Sequence, residues 1–209
     1  MNRKLSDVGY RLNLALGPFN RFRKRGLPVA IAMTDMTRAP NPHKLLSNLP
    51  ANSALILRHP EPETLRKLAV AAIPVAKKLG HRILIAGYPR LAFATGADGV
   101  HIPEALFRKR PNIKWAKLSR RWIVTVSAHS LKTISQAKSA EADAVLLSPV
   151  LRTRSHVEAR SIGFLRFSQL CRAHKISIYA LGGITRNTIR QLKNSKCAGI
   201  AGISIFLSD

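Results

Sequence analysis

Eight short apolar runs recur along the chain at intervals of roughly 20–30 residues, with helix-period segments between most of them. They lie at 29–34, 54–57, 82–86, 99–102, 123–126, 144–147, 177–181 and 199–203. Strands alternating with helices build βα units and a parallel sheet. Eight such strands favour a closed barrel over an open doubly wound sheet. The spacing therefore predicts an α/β fold, a single (β/α)8 TIM-type barrel. The clearest intervening helices are expected at 61–78, 130–140, 163–174 and 185–194, with Ser130 and Thr185 as N-caps and Gly80 as a C-terminal stop.

The chain ends at Asp209, a few residues past the eighth run, so a truncated eighth helix is expected. Residues 1–27 read as a basic N-terminal extension, a segment long enough for a helix packing on the barrel, and 28–209 as the barrel itself. A chain of 209 residues with 46% hydrophobic content can bury one substantial core. No apolar run reaches the roughly 18–20 residues that span a bilayer. The first residues lack the apolar core and cleavage site of a secretory signal, and Asp7 and weak amphipathicity argue against an organellar leader. Cys171 and Cys197 stand in unrelated contexts, giving neither a disulfide scaffold nor a zinc site. A cytoplasmic protein is expected.

Charge is the compositional outlier. Against 35 Lys and Arg stand 10 Asp and Glu, for a net +25. Such a chain attracts polyanions whatever its fold, so phosphorylated substrates, nucleic acid and anionic membranes are candidate partners beside a plainly solvated basic surface. The densest patches are 21–25 and 108–121. Few aromatics interleave with them, whereas single-strand recognition relies on stacking.

The run Leu181-Gly182-Gly183-Ile184-Thr185 ends the seventh strand on two glycines, beside an expected helix start at Thr185. A helix start offers unpaired N–H donors and partial positive charge, which suit a phosphate. Gly202-Ile203-Ser204 ends the eighth strand. In such barrels the loops after strands seven and eight are where phosphate usually sits.

With the strands placed, the motifs resemble the thiamine-phosphate synthase / TenI family over roughly residues 28–206. Gly96-Ala97-Asp98-Gly99-Val100-His101 matches the family's GADGVHL strand, and Val126-Ser127-Ala128-His129-Ser130 resembles its VSVHS turn. Ser148-Pro149-Val150 through Thr153 and Ser155 resembles the GPVFPTxTK loop, with Gly163 at the expected distance. Ala180-Leu181-Gly182-Gly183-Ile184-Thr185 resembles the AIGGIT phosphate loop, and Gly202-Ile203-Ser204 its VVS counterpart. The resemblance implies thiamine metabolism. Family synthases join a pyrimidine diphosphate to a thiazole phosphate and expel pyrophosphate, with Mg²⁺ neutralising the leaving group. It also implies that Gly182, Gly183, Ile203, Ser204, Thr153 and Ser155 cradle a phosphorylated small molecule, joined by Arg58, Ser127 and His129.

The family pattern then breaks. Its Asn, Asp and Arg after the third strand align with Ala86, Gly87 and Tyr88, and the Asp after the fourth with Leu106. Its Q-L-R-E-K becomes Ile56-Leu57-Arg58-His59-Pro60, and its loop lysine aligns with His156. The TenI tautomerase histidine aligns with Pro149. Mg²⁺ takes hard oxygen ligands, so its binding here would rest on Glu104 and substrate phosphates. Phosphate binding is the expected residual function. The alternatives are a non-catalytic phosphate sensor or partner protein and a basic scaffold that contacts nucleic acid.

The side chains leave further choices open. Arg58, at a strand's C-terminal end, faces an anion or is a solvated cation. His101 inside a strand reads as a satisfied core histidine, while His129 either contacts a ligand or orients its turn. Ser127 and Thr153 read as hydrogen-bonding residues rather than nucleophiles. His156, in a basic loop, is the candidate catalytic base, its alternative a plain loop histidine.

Overall fold

The structure is a computed structural model that describes residues 26–110, 119, 121–153 and 160–207. The helix expected within 1–27 and the loop positions Ser155 and His156 lie outside the described residues. The eight strands are β1 (Ala30–Met33), β2 (Ala54–Leu57), β3 (Arg82–Ala86), β4 (Gly99–Ile102), β5 (Ile123–Ala128), β6 (Ala144–Leu147), β7 (Ser177–Leu181) and β8 (Gly199–Gly202). They pair in parallel in sequence order, and β8 closes on β1. The expected (β/α)8 barrel is present.

Side chains alternate along each strand between two cores. Ile31, Met33, Ile56, Leu84, Leu146 and Tyr179 fill the lumen. Leu55, Leu57, Ile83, Val100, Val124 and Val145 pack outward beneath the helices. Tyr179 is fully buried, and its hydroxyl donates to the Pro28 carbonyl at 2.6 Å. Gly199 has no room for a side chain, since a Cβ would lie 2.3 Å from Val29 O and 2.8 Å from Tyr179 Cε1.

The helices are α1 (Pro42–Asn48), α2 (Pro62–Lys78), α3 (Pro89–Thr95), α4 (Glu104–Lys109), α5 (Leu131–Ser139) and α6 (Phe164–Ala173). Pro opens α1, α2 and α3, where its missing N–H costs nothing. The Asn41 side chain caps α1, Glu61 caps α2, and Ser130 caps α5 as expected. Helices α1, α3 and α4 are each too short to announce themselves by periodicity.

A left-handed helix stop followed by an aspartate clamp occurs after α3 and after α5. After α3, Gly96 takes φ 69° and Ala97 N donates to Ala92 O at 3.0 Å. After α5, Glu141 takes φ 60° and Ala142 N donates to Ala137 O at 3.0 Å. Both are left-handed helix stops with a six-residue closing bond. The next residue, Asp98 or Asp143, then ties its strand to the preceding one. Asp98 Oδ2 accepts from Ile83 N at 2.8 Å, and Asp143 Oδ2 accepts from Val124 N at 2.9 Å. These carboxylates clamp strand starts at the face opposite the loops that carry the site.

A helix over 185–194 does not form. The segment is turns followed by a 3₁₀ turn, Ile189–Leu192. Thr185 N donates to Thr188 Oγ1 at 2.9 Å, and Thr188 N to Thr185 Oγ1 at 3.3 Å. Hydroxyls that satisfy the local backbone compete with helix formation, and so short a segment cannot recover the nucleation cost. The helix-dipole support for a phosphate therefore falls away. A second 3₁₀ turn, Ser204–Phe206, follows β8.

Candidate functional site

The loops at the C-terminal ends of the strands build the site. Gly182 and Gly183 take φ 89° and 70°, a left-handed backbone that favours glycine. They also lie under the loop after β6. A Cβ on Gly183 would sit 2.4 Å from Arg152 O, and one on Gly182 3.1 Å from Pro149 Cα. Val150 N donates to Leu181 O at 2.9 Å and Leu151 N to Gly182 O at 3.0 Å, stitching the two loops together. The glycines are required by this packing, whatever ligand they serve.

Next to them opens a cleft of about 310 Å³ between the loops after β7 and β8. Ile184, Thr185, Arg186, Asn187, Ser204 and Ile205 line it. Of the expected cradle, Ser204 lies on the cleft, Gly182 and Gly183 shape the loop leading to it, and Ile203 is half-buried at the end of β8. Thr153 is half-buried in the loop after β6. Arg186 and Asn187 escaped the sequence reading. Their signal was position alone, directly after Thr185, and the expected helix obscured it.

A second group occupies the barrel mouth. His101 on β4 is 3% exposed, with Nδ1 2.9 Å from Thr125 Oγ1 and Nε2 2.8 Å from Ser127 Oγ. Burial, reinforced by the Arg58 charge, pushes its pKa down to about 3. The imidazole is thus neutral at pH 7 and holds the half-buried Ser127 in place. His101 is the satisfied core histidine expected, with the addition that it reaches the mouth. Arg58 is exposed, with Nη1 3.8 Å from Met33 Sδ. Its backbone N donates to Thr34 Oγ1 at 2.7 Å.

His129 bonds to the loop after β6. Its Nδ1 lies 2.9 Å from Ser148 O and 3.2 Å from Ser148 Oγ, and its Nε2 3.7 Å from Glu104 Oε2. The other oxygen of Glu104 accepts from the Thr133 hydroxyl. A Ser–His–Glu succession thus arises from two loops and the first residue of α4. With Nδ1 against a carbonyl oxygen, the ring faces Ser148 as a donor, which is the wrong arrangement to deprotonate that hydroxyl.

The Mg²⁺ implied by the resemblance does not fit the described residues. Glu104, the carboxylate offered as a substitute, is engaged by Thr133 and faces His129. Asp35, after β1, accepts from Arg38 Nη2 at 2.8 Å, and that guanidinium holds its carboxyl well below the usual carboxylate range. Glu61 is spent on the start of α2. Where the family's acids belong, Gly87 takes a left-handed φ of 77° and Leu106 packs on the outer core. Tyr88 bonds to the neighbouring loop after β2, its hydroxyl donating to Pro60 O at 2.9 Å. Among the described residues, no three His, Cys, Asp or Glu gather as a metal site.

Comparison with known proteins agrees with this architecture. A provisionally named thiamine-phosphate synthase 2 of Aquifex aeolicus is 39% identical over 143 residues, covering 68% of this chain and 75% of that protein. The thiamine-phosphate synthase of Anoxybacillus flavithermus is 36% identical over 119 residues, 54% of this chain and 52% of the relative. The chain thus spans about half the length of that relative. Among solved structures, the thiamine phosphate pyrophosphorylase of Pyrococcus furiosus superposes with a TM-score of 0.67 at 20% identity, covering 90% of this chain and 88% of that one. FabK of Thermotoga maritima gives 0.65 at 17% identity, covering 90% and 61%, a likeness of fold alone. Residues 32–206 match the sequence pattern of the thiamine monophosphate synthase family, and the chain belongs to that family.

Proposed function

We propose that this chain is a divergent thiamine-phosphate synthase/TenI-like protein acting in thiamine metabolism in the cytoplasm. It binds a phosphorylated thiazole or pyrimidine without running the Mg²⁺-dependent coupling. The observation that carries this reading is the cleft after β7 and β8, where Thr185, Arg186, Asn187 and Ser204 converge. A phosphate dianion needs several donors and a compensating charge. The hydroxyls of Thr185 and Ser204, the Asn187 amide and the Arg186 guanidinium are donors of that kind. The position is where barrels of this type commonly take phosphate.

Of the coupling half of the family site, Arg58 is kept, while Gly87 and Leu106 stand at the aligned positions of the metal carboxylates. Removing the charge that stabilises a departing pyrophosphate costs orders of magnitude in rate. The carboxylates at the mouth are already occupied by Arg38, by Thr133 and His129, and by the α2 backbone. That occupancy favours a ligand-binding protein, a sensor or partner in the same metabolism, as the specific form of this function.

The test is a pair of measurements on the full chain. Thiazole phosphate should raise the melting temperature saturably. Mixing both family substrates with Mg²⁺ should form no thiamine phosphate above a control without protein. Turnover would overturn the loss of coupling. A melting temperature indifferent to thiazole phosphate would overturn the binding site. Should turnover appear, His156→Ala decides whether the loop histidine is its base: unchanged turnover would remove that role.

A further inference from the structure

We propose that the barrel face opposite the cleft binds a nucleic-acid duplex through its phosphates, without reading base sequence. In a (β/α)8 barrel every helix ends, and every strand begins, at that face. Here these places carry cations in one βα unit after another. Lys77 and Lys78 close α2, and Arg82 opens β3. Arg108 and Lys109 close α4, and Lys138 closes α5. Arg121 precedes β5 and Lys175 precedes β7, both exposed.

Cations at helix ends also offset the negative end of the helix dipole, so those residues have a structural use. Arg82 and Arg121 stand at strand starts, where no such dipole exists, and Lys175 lies just past the end of α6. All three are exposed, and Arg82 and Arg121 make the face cationic beyond what the helices require. The described acids on this face are Asp98 and Asp143, which accept from the backbone N–H groups of Ile83 and Val124, and the exposed Glu141 after α5, fewer than the cations named. The ion pairs Arg38–Asp35 and Arg66–Glu63 both lie toward the other end, after β1 and at the start of α2.

The chemistry of the face selects the partner. Of the exposed large apolar side chains, Leu79 and Phe93 lie at the ends of α2 and α3, whereas Leu131 and Leu165 lie at helix starts on the other side. A membrane-docking face needs a contiguous set of apolar side chains to insert, and two on separate helices among so many cations are a poor anchor. Trp122 is half-buried against the core, so it does not serve as a stacking platform for single-stranded bases. What is left is a broad array of guanidinium and ammonium groups, which recognises phosphodiesters by charge. This function is independent of the phosphate cleft, which opens at the other end of the barrel.

The experiment uses the full chain and fluorescein-labelled DNA and RNA duplexes, followed by anisotropy across a KCl series. Wild type should bind, with affinity falling steeply as salt rises. The triple variant R82E/R121E/K175E should bind about tenfold or more weakly and with a shallower salt slope. R90E/R166E/R190E carries the same charge change on exposed arginines elsewhere and should stay within about threefold of wild type. Excess thiazole phosphate should leave duplex binding unchanged.

Equal loss in both triple variants would overturn the proposal, since net charge alone would then explain binding. Displacement of duplex by thiazole phosphate would do the same, placing the contact in the cleft. Binding to phosphatidylglycerol vesicles but not to duplex would assign the face to membranes instead. Circular dichroism checks folding, and R82Q/R121Q/K175Q substitutes should the charge reversals unfold the chain. The DNA and RNA arms identify which backbone the face takes.

Discussion

The imidazole of His101 and the hydroxyl of Ser127 meet at 2.8 Å, joining β4 to β5 at the mouth of the barrel. His101 faces Thr125 through its other nitrogen, so one neutral ring satisfies two hydroxyls inside an otherwise apolar lumen. Replacing it strands a buried hydroxyl, which costs about 1–3 kcal/mol. His101→Phe should therefore lower the denaturant midpoint by an amount of that order. His101→Gln, which retains hydrogen-bonding capacity, should lower it less. Equal stability of wild type and the Phe variant would show that the bonds contribute nothing net.

The same ring sets an acid limit. Its folded pKa of about 3 lies below the ordinary imidazole value of 6.5. Burial likewise holds His81 below 6.5, with Nδ1 lacking a hydrogen-bond partner. Between the two His101 values, the unfolded chain binds more protons than the folded one, so stability rises with pH there. Its contribution is complete above about 6.5 and is lost progressively as pH falls toward 3. Chemical denaturation at several pH values should follow this slope, and His101→Gln should flatten it. An unchanged slope in the variant would remove His101 from the account.

Glycines with similar backbone angles should differ sharply in what they tolerate. Gly183 has φ 70° and no room, since its Cβ would lie 2.4 Å from Arg152 O. Gly96 has φ 69° and open space around the same position. Gly96→Ala should cost about 1 kcal/mol, the left-handed penalty alone. Gly183→Ala should cost clearly more and weaken the ligand-induced rise in melting temperature, because the loop after β6 must move. Comparable losses at both sites would show that the contact yields freely.

Asp98 and Asp143 should behave as an equivalent pair. Each accepts a backbone N–H from the preceding strand, at 2.8 and 2.9 Å. Removing such a charged acceptor costs about 1.5–3 kcal/mol, so Asp98→Ala and Asp143→Ala should lower the melting temperature by similar amounts. Asn, which still offers an oxygen, should be milder at both. Neither Ala variant should change the affinity of the folded protein for thiazole phosphate, since both clamps lie at the opposite face.

At the cleft, Arg186→Ala should weaken thiazole phosphate binding by about tenfold, the worth of one charge-assisted contact. Ser204→Ala should weaken it by less, because a neutral donor is lost. Titration calorimetry reads both, and adding EDTA should leave the wild-type affinity unchanged. A requirement for Mg²⁺ in binding would mean that the carboxylates at the mouth rearrange to receive it.

The barrel was legible because each strand depends on its own residues. Continuous apolar runs such as Ala144–Leu147 can be buried on both faces, and Ser130 or Gly80 can end or begin a helix without help from afar. The family's motifs were legible for the same reason, being contiguous stretches at strand ends. Even there, local competition could mislead: Thr185 reads as a helix cap, yet Thr188 turns its backbone into a 3₁₀ path. What tertiary structure alone decided is which groups meet. Glu104, His129 and Ser148 come from three successive βα units, and His101 reaches Ser127 across a strand pair. Such partnerships depend on barrel register and closure, which place distant residues within hydrogen-bond reach. The physical reason is range: an apolar pattern acts along a few neighbours, whereas a polar contact exists only once the sheet has closed.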